Sequence, residues 1–102
     1  MKEGDIQSAI LGYLAYRQIY AWRNNTGAYK TEHGSYVRYG FKGSSDILGI
    51  LPDGRFLAIE IKKPKPNKTY PTKEQKLFLK NIEINGGIAF VARSLEDVIE
   101  KI

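Results

Sequence analysis

Apolar residues recur every fourth position at Ile6, Ile10 and Leu14, with Leu11 alongside, and this spacing predicts an amphipathic helix over about 6–19. Asp5, just before the first apolar position, is the expected N-cap. Residues 20–25, Tyr-Ala-Trp-Arg-Asn-Asn, read as a short strand that breaks at the asparagines, with Trp22 in the core. From 26 to 43 glycine, tyrosine and basic side chains replace any long apolar run, so this segment reads as a loop or irregular ribbon on the surface.

A hairpin follows. The runs Asp46–Leu51 and Phe56–Lys62 flank Pro52-Asp53-Gly54, where Pro fixes φ and Gly accepts φ > 0. Pro64 and Pro66 end the second strand. Thr72-Lys-Glu-Gln75 has the form of a capping box and opens a helix with Leu77, Phe78, Leu79 and Ile82 as its buried stripe. Gly86-Gly87 ends that helix, and Ile88–Ala92 has the composition of a central strand. Ser94 to Asp97 caps a last helix carrying Val98, Ile99 and Ile102 on one side. The order α-β-β-β-α-β-α, without repeats or a linker, predicts one α/β domain over 1–102, a mixed sheet flanked by helices. The hairpin excludes a doubly wound nucleotide fold, whose sheet is parallel.

Strand alternation then brings chemistry together. Leu57, Ile59 and Ile61 share the core face, whereas Phe56, Ala58, Glu60 and Lys62 share the other. With residues 52–54 as the loop, Leu51 pairs with Arg55 and paired numbers sum to 106, so Asp46 lies opposite Glu60. Opposed Cβ atoms sit about 4.5–5.5 Å apart. Two carboxylates that close repel unless a proton or a cation lies between them. With no cysteine in the chain and His33 its single histidine, an all-oxygen site suits Mg²⁺ or Mn²⁺. Glu-x-Lys alone is weak, since Glu74-x-Lys76 repeats it in a predicted helix, but only Glu60 has an opposing aspartate. The competing reading is a salt-bridged surface patch.

Charge points the same way. The net +5 is concentrated in two blocks: Arg17, Arg23, Lys30, Arg38 and Lys42 against Glu32, and seven lysines between 60 and 80 against Glu60 and Glu74. Two basic blocks on an otherwise balanced chain suit a polyanionic partner such as nucleic acid. The absence of cysteine excludes a disulfide scaffold and a thiolate zinc site. No apolar run nears the ~18 residues of a membrane span, and no signal peptide is visible behind Met1, so a cytoplasmic protein is expected. No Walker loop or GxGxxG supports ATP or NAD binding.

Taken together, Gly43-Ser-Ser-Asp46-Ile-Leu-Gly-Ile, Ala58-Ile-Glu60-Ile-Lys62, Thr72-x-x-Gln75-x-x-Phe78-Leu79 and Gly87-x-Ala-Phe-Val-Ala92 resemble the virus-type replication-repair nuclease (VRR-NUC) domain of the PD-(D/E)XK superfamily. The resemblance covers nearly the whole chain. It implies a restriction-endonuclease-like αβββαβ core and a Mg²⁺- or Mn²⁺-dependent DNA endonuclease, structure-selective for branched DNA such as Holliday junctions or flaps. It also implies Asp46 and Glu60 as metal ligands, the Ile61 carbonyl as a further one, and Lys62 as the residue that organises the attacking water. An acidic residue of the first helix often joins such sites; Glu3 is the best match by spacing, with Asp5 competing. Ser45 stands before Asp46 where the superfamily name implies proline.

Several assignments stay open on sequence alone. Gln75 either contacts the site or only completes its capping box. Tyr29, Tyr36, Tyr39 and Phe41, interleaved with Lys30, Arg38 and Lys42, either bind DNA or pack on the domain or on a second subunit. Lys63, Lys65 and Lys68 form a candidate phosphate track with Lys62, whereas Lys73, Lys76 and Lys80 read as a solvated helix face. A homodimer is expected, because so short a chain buries little of its surface and its aromatic content exceeds the needs of one small core. The rival functions are a non-catalytic nucleic-acid-binding module and a different enzyme of the superfamily, a junction resolvase or a restriction-type nuclease.

Overall fold

The computed structural model describes residues 2–102. Its elements are α1 (Glu3–Tyr16), β1 (Tyr20–Arg23), β2 (Gly27–Lys30), β3 (Tyr36–Tyr39), β4 (Ile47–Ile50), β5 (Phe56–Ile61), α2 (Lys73–Ile84), β6 (Ile88–Ala92) and α3 (Leu95–Lys101). A four-stranded mixed sheet runs β1-β4-β5-β6, antiparallel except for the β5–β6 pair, and β2 and β3 form a separate two-stranded ribbon. The chain is thus a mixed α/β protein. Among the described residues, no helix is long and apolar enough to cross a membrane.

The helix spacing holds where it bears on the core. Ile6, Ile10 and Leu14 are buried against Ile47, Leu57, Ile59, Ile61, Phe90 and Val98. Burying each large aliphatic side chain there contributes roughly 1.5–3 kcal/mol. The helix ends differ from expectation. Asp5 is not the N-cap: Lys2 holds that position, its carbonyl accepting from the Asp5 and Ile6 amides, and Asp5 sits in the first turn with Glu3, where the helix dipole favours acids. The helix stops at Tyr16, because Gln18 takes φ = 59° and the Ile19 amide turns back to the Leu14 carbonyl.

The hairpin has the predicted register. Ile47 pairs with Ile59, Leu48 with Ala58, Gly49 with Leu57 and Ile50 with Phe56. The Leu51 amide donates to the Arg55 carbonyl at 2.8 Å, and Gly54 at φ = 92° makes the turn. Every residue of β5 from Leu57 to Ile61 is buried, since α1 packs one face of the sheet and α2 the other.

Three packing expectations are corrected. Trp22 is not core: it is 39% exposed beside Tyr20, because α2 covers β5 and β6 and leaves this face of β1 and β4 open. Leu77 is 59% exposed and borders an apolar groove with Phe41, Phe56 and Phe78 rather than joining a buried stripe; Leu79 is the buried residue of α2. Ile99 faces outward while Val98 alone is fully buried in α3. The segment expected to be irregular contains a regular ribbon, with Ala28 paired to Arg38 and Lys30 to Tyr36. It lies on the surface, as composition implied.

Candidate active site

The site forms where β4 and β5 run out of paired residues. Continuing the register one step past Ile47 and Ile59 sets Asp46 across from Glu60, and the β1–β4 register sets Asn24 across from Asp46. Asp46 is held from three sides. Its Oδ2 accepts from the Ile61 amide at 2.7 Å, and its carbonyl accepts from the Asn24 amide at 2.8 Å and from Gln7 Nε2 at 3.2 Å. Asn24 Nδ2 also donates to Ser44 Oγ at 2.7 Å and to the Ser45 carbonyl at 3.0 Å, anchoring the segment that leads into Asp46.

Gly43 makes that approach possible. It sits at φ = 83°, and a Cβ there would meet the Glu74 carbonyl oxygen at 2.8 Å. Only glycine combines that backbone conformation with an approach this close. The loop before Asp46 therefore rests directly on the first turn of α2, next to Gln75.

Glu60 is 1% exposed. Gln75 Nε2 donates to its Oε2 at 3.1 Å, and Lys62 Nζ lies 3.6 Å from the same oxygen. Among the described residues, no donor reaches the buried Oε1. Burial pushes the carboxyl up to about 8; hydrogen bonding with Asp46 and its charge add to the rise, and Lys62 opposes it. Near neutral pH this favours the protonated form of Glu60. An all-oxygen pair with a buried oxygen lacking any donor is the chemistry that receives a hard divalent ion. A cation held between the two carboxylates would relieve their repulsion as a proton does. The donor chemistry of the Asp46 and Glu60 carboxyls therefore fits a hard divalent ion such as Mg²⁺ or Mn²⁺.

The other candidates fall into separate places. Gln75 combines both roles considered for it, since its Oε1 accepts from the Thr72 amide in a complete capping box while Nε2 reaches Glu60. Ile61 contacts Asp46 through its amide. Glu3 accepts from the Thr69 hydroxyl at 3.4 Å, and Asp5 lines a groove with Lys63 and Lys65. Among the described residues, no three Asp, Glu or His side chains gather into one metal-holding group. It is Gln7, one turn beyond Glu3 on α1, that reaches Asp46.

The basic residues form two surfaces. Lys30 and Arg38 share one face of the β2–β3 ribbon, because paired and alternate positions point the same way, and Arg38 and Lys42 line one small groove at its base. Lys63 and Lys65 line a second groove with Lys2, and Lys68 Nζ lies over the Tyr70 ring at 5.5 Å. Lys73, Lys76 and Lys80 are exposed on α2, as expected.

Residue-type reasoning missed Gln7 and Asn24. The signal for Asn24 was its place at the end of β1, where an amide side chain can replace the next strand partner; Gln7 had none beyond standing beside the buried Ile6. No family model matches the chain, and no curated protein matches it.

Proposed function

We propose that this chain is a Mg²⁺- or Mn²⁺-dependent DNA endonuclease of the VRR-NUC type, with a restriction-endonuclease-like core. The reading rests chiefly on one arrangement: the Asp46 and Glu60 carboxyls side by side, Glu60 Oε1 buried without a donor, and Lys62 Nζ 3.6 Å from Glu60 Oε2. A structural salt bridge accounts for the lysine but not for a second carboxyl, Asp46, set across from the buried Glu60.

When bound there, Mg²⁺ or Mn²⁺ would supply Lewis acidity toward a phosphoryl oxygen and a bound water. Asp46 and Glu60 would hold the ion, Asp46 being fixed by Ile61, Asn24 and Gln7 and Glu60 by Gln75. The Lys62 ammonium, its side chain only 13% exposed, orients the attacking water and offsets negative charge as the phosphoester bond breaks. The two basic surfaces hold the phosphate backbone around this point. Branched DNA is the proposed substrate, and a second copy of the chain the proposed partner. A pair of sites related by a two-fold axis suits symmetric incision of a four-way junction.

The test incubates the protein with flap, nicked, duplex and four-way DNA in Mg²⁺, Mn²⁺, Ca²⁺ or EDTA. Cleavage is expected with Mg²⁺ or Mn²⁺, binding with little cleavage in Ca²⁺, and neither Asp46→Asn nor Glu60→Gln should cut while both still bind. Full activity of Glu60→Gln in Mg²⁺ sinks the assignment. Sequence-specific cutting of plain duplex favours a restriction-type enzyme, and binding without cleavage in any metal favours the non-catalytic module.

A further inference from the structure

Arg93 follows β6 and lies outside the carboxylate site, yet its guanidinium is committed to one neighbouring loop. Nη1 donates to the Lys63 carbonyl at 2.7 Å and to the Thr69 carbonyl at 2.6 Å, the two ends of segment 63–69. The same ends are tied directly: the Lys63 amide donates to Thr69 Oγ1 at 2.9 Å, and the Thr69 amide to the Lys63 carbonyl at 3.4 Å. Arg93 Cζ lies 5.2 Å from the centre of the Tyr70 ring, which also carries Lys68 Nζ at 5.5 Å. The Arg93 amide donates to Asp97 Oδ2 at 2.8 Å, which fixes the clamp's own backbone to α3.

The loop so closed contains Lys63, Lys65 and Lys68 and no acidic residue. It begins one residue after Lys62, whose amide is bound to the Ala92 carbonyl next to Arg93. Three like charges on a short segment repel and favour an open, varied loop; a half-buried cation on both neck carbonyls opposes that. Carbonyl partners also leave the guanidinium charge unneutralised, because no carboxylate lies within ion-pair distance of it among the described residues. The arrangement holds positive charge in a fixed shape, which suits a fixed array of phosphates.

We propose that Arg93 is a positioning residue that clamps the 63–69 loop, and that the clamped loop is a rigid strip binding the DNA phosphate backbone as it leaves the Lys62 side of the site. This rests on the nuclease reading above.

The experiment compares the full chain with Arg93→Met, which keeps the reach but loses the donors, and Arg93→Lys, whose ammonium can still bridge two carbonyls. Amide hydrogen exchange needs no DNA: Lys63 and Thr69 should lose protection by about tenfold or more in Arg93→Met and regain part of it in Arg93→Lys. Unchanged protection overturns the clamp. Duplex binding in Ca²⁺ is then followed against salt. The log–log slope should fall by about 0.9 for each phosphate that Arg93→Met no longer holds, with KM rising more than kcat falls, and Arg93→Lys should recover part of the slope. A wild-type slope in a variant whose loop exchanges faster overturns the phosphate strip alone. Failure of the unaltered chain to bind or cut any DNA overturns the nuclease reading, and the strip falls with it, while hydrogen exchange still decides the clamp.

Discussion

Gln75 joins the start of α2 to Glu60: one end of its amide accepts from the Thr72 amide and the other donates to Glu60 Oε2 at 3.1 Å. The helix cap and the buried carboxyl therefore depend on a single side chain, and substitution separates the two. Gln75→Glu preserves a capping-box residue but turns an acceptor toward Glu60. It should keep the helix cap while Mg²⁺ affinity and cleavage change, and any loss of stability should come from the Glu60 side. Gln75→Ala should lose both, with a stability cost of about 1 kcal/mol from the cap. Thermal melts and Mg²⁺ titrations of the two variants check this; equal cleavage by Gln75→Glu and the unaltered chain counts against a role for the Gln75–Glu60 hydrogen bond.

Glu60 also sets a pH dependence. Its carboxyl rises from an ordinary 4.5 to about 8 in the fold. Between those values the folded chain holds a proton that the unfolded chain has released, so metal-free stability falls as pH rises through this window and levels off above it. The slope from this group cannot exceed about 1.4 kcal/mol per pH unit. Glu60→Gln should flatten the curve and melt above the unaltered chain in EDTA at about pH 9. Binding of Mg²⁺ near neutral pH should release a proton, read by calorimetry in two buffers of different ionisation enthalpy.

Lys30, Arg38 and Lys42 test the ribbon. Neutralising all three should weaken DNA binding and reduce the salt slope by about 0.9 for each phosphate no longer held. The fold should be unaffected, because all three are exposed. An unchanged slope reassigns the ribbon to packing against protein.

The open face of the sheet tests the oligomer. Tyr20 pairs with Ile50 and Ile50 with Phe56, so these three share a face, and Tyr20 and Ile50 are exposed there beside Trp22. Light scattering at micromolar concentration should give twice the 11.6 kDa chain mass. Ile50→Lys should shift that mass toward the monomer, and a monomer for the unaltered chain removes paired incision from the proposed function while leaving metal-dependent nicking.

What was legible in the sequence was what local chemistry decides. The Pro52-Asp53-Gly54 turn fixed the pairing of Ile47 with Ile59, and from it the opposition of Asp46 and Glu60 follows by counting. Thr72 and Gln75 showed their box because both partners lie within one turn. What failed depended on which faces other elements cover. Trp22 looks like core until α2 is seen to stop short of β1, and Leu77 looks buried until the helix is seen to rotate it toward Phe41. The N-cap is not legible from residue type, because Lys2 caps through its backbone carbonyl and makes no side-chain cap. Within the site, Gln7 and Asn24 bind partners 39 and about 20 residues away in sequence, which residue type does not encode.

The turn at Pro52–Gly54 lies five strand pairs from Asp46 and Glu60, roughly 17 Å along the hairpin, and touches neither. Yet its length is the gauge by which the two carboxyls meet. Loss or gain of one residue there, with the pairing re-formed around it, would carry Asp46 to the opposite side of the sheet from Glu60 while leaving every side chain of the site intact. Tolerance to substitution and tolerance to indels should therefore diverge sharply at this turn: changes of residue type at Asp53 or Arg55 cost little, because their ion pair is solvent-exposed, whereas changes of length act as remote knockouts.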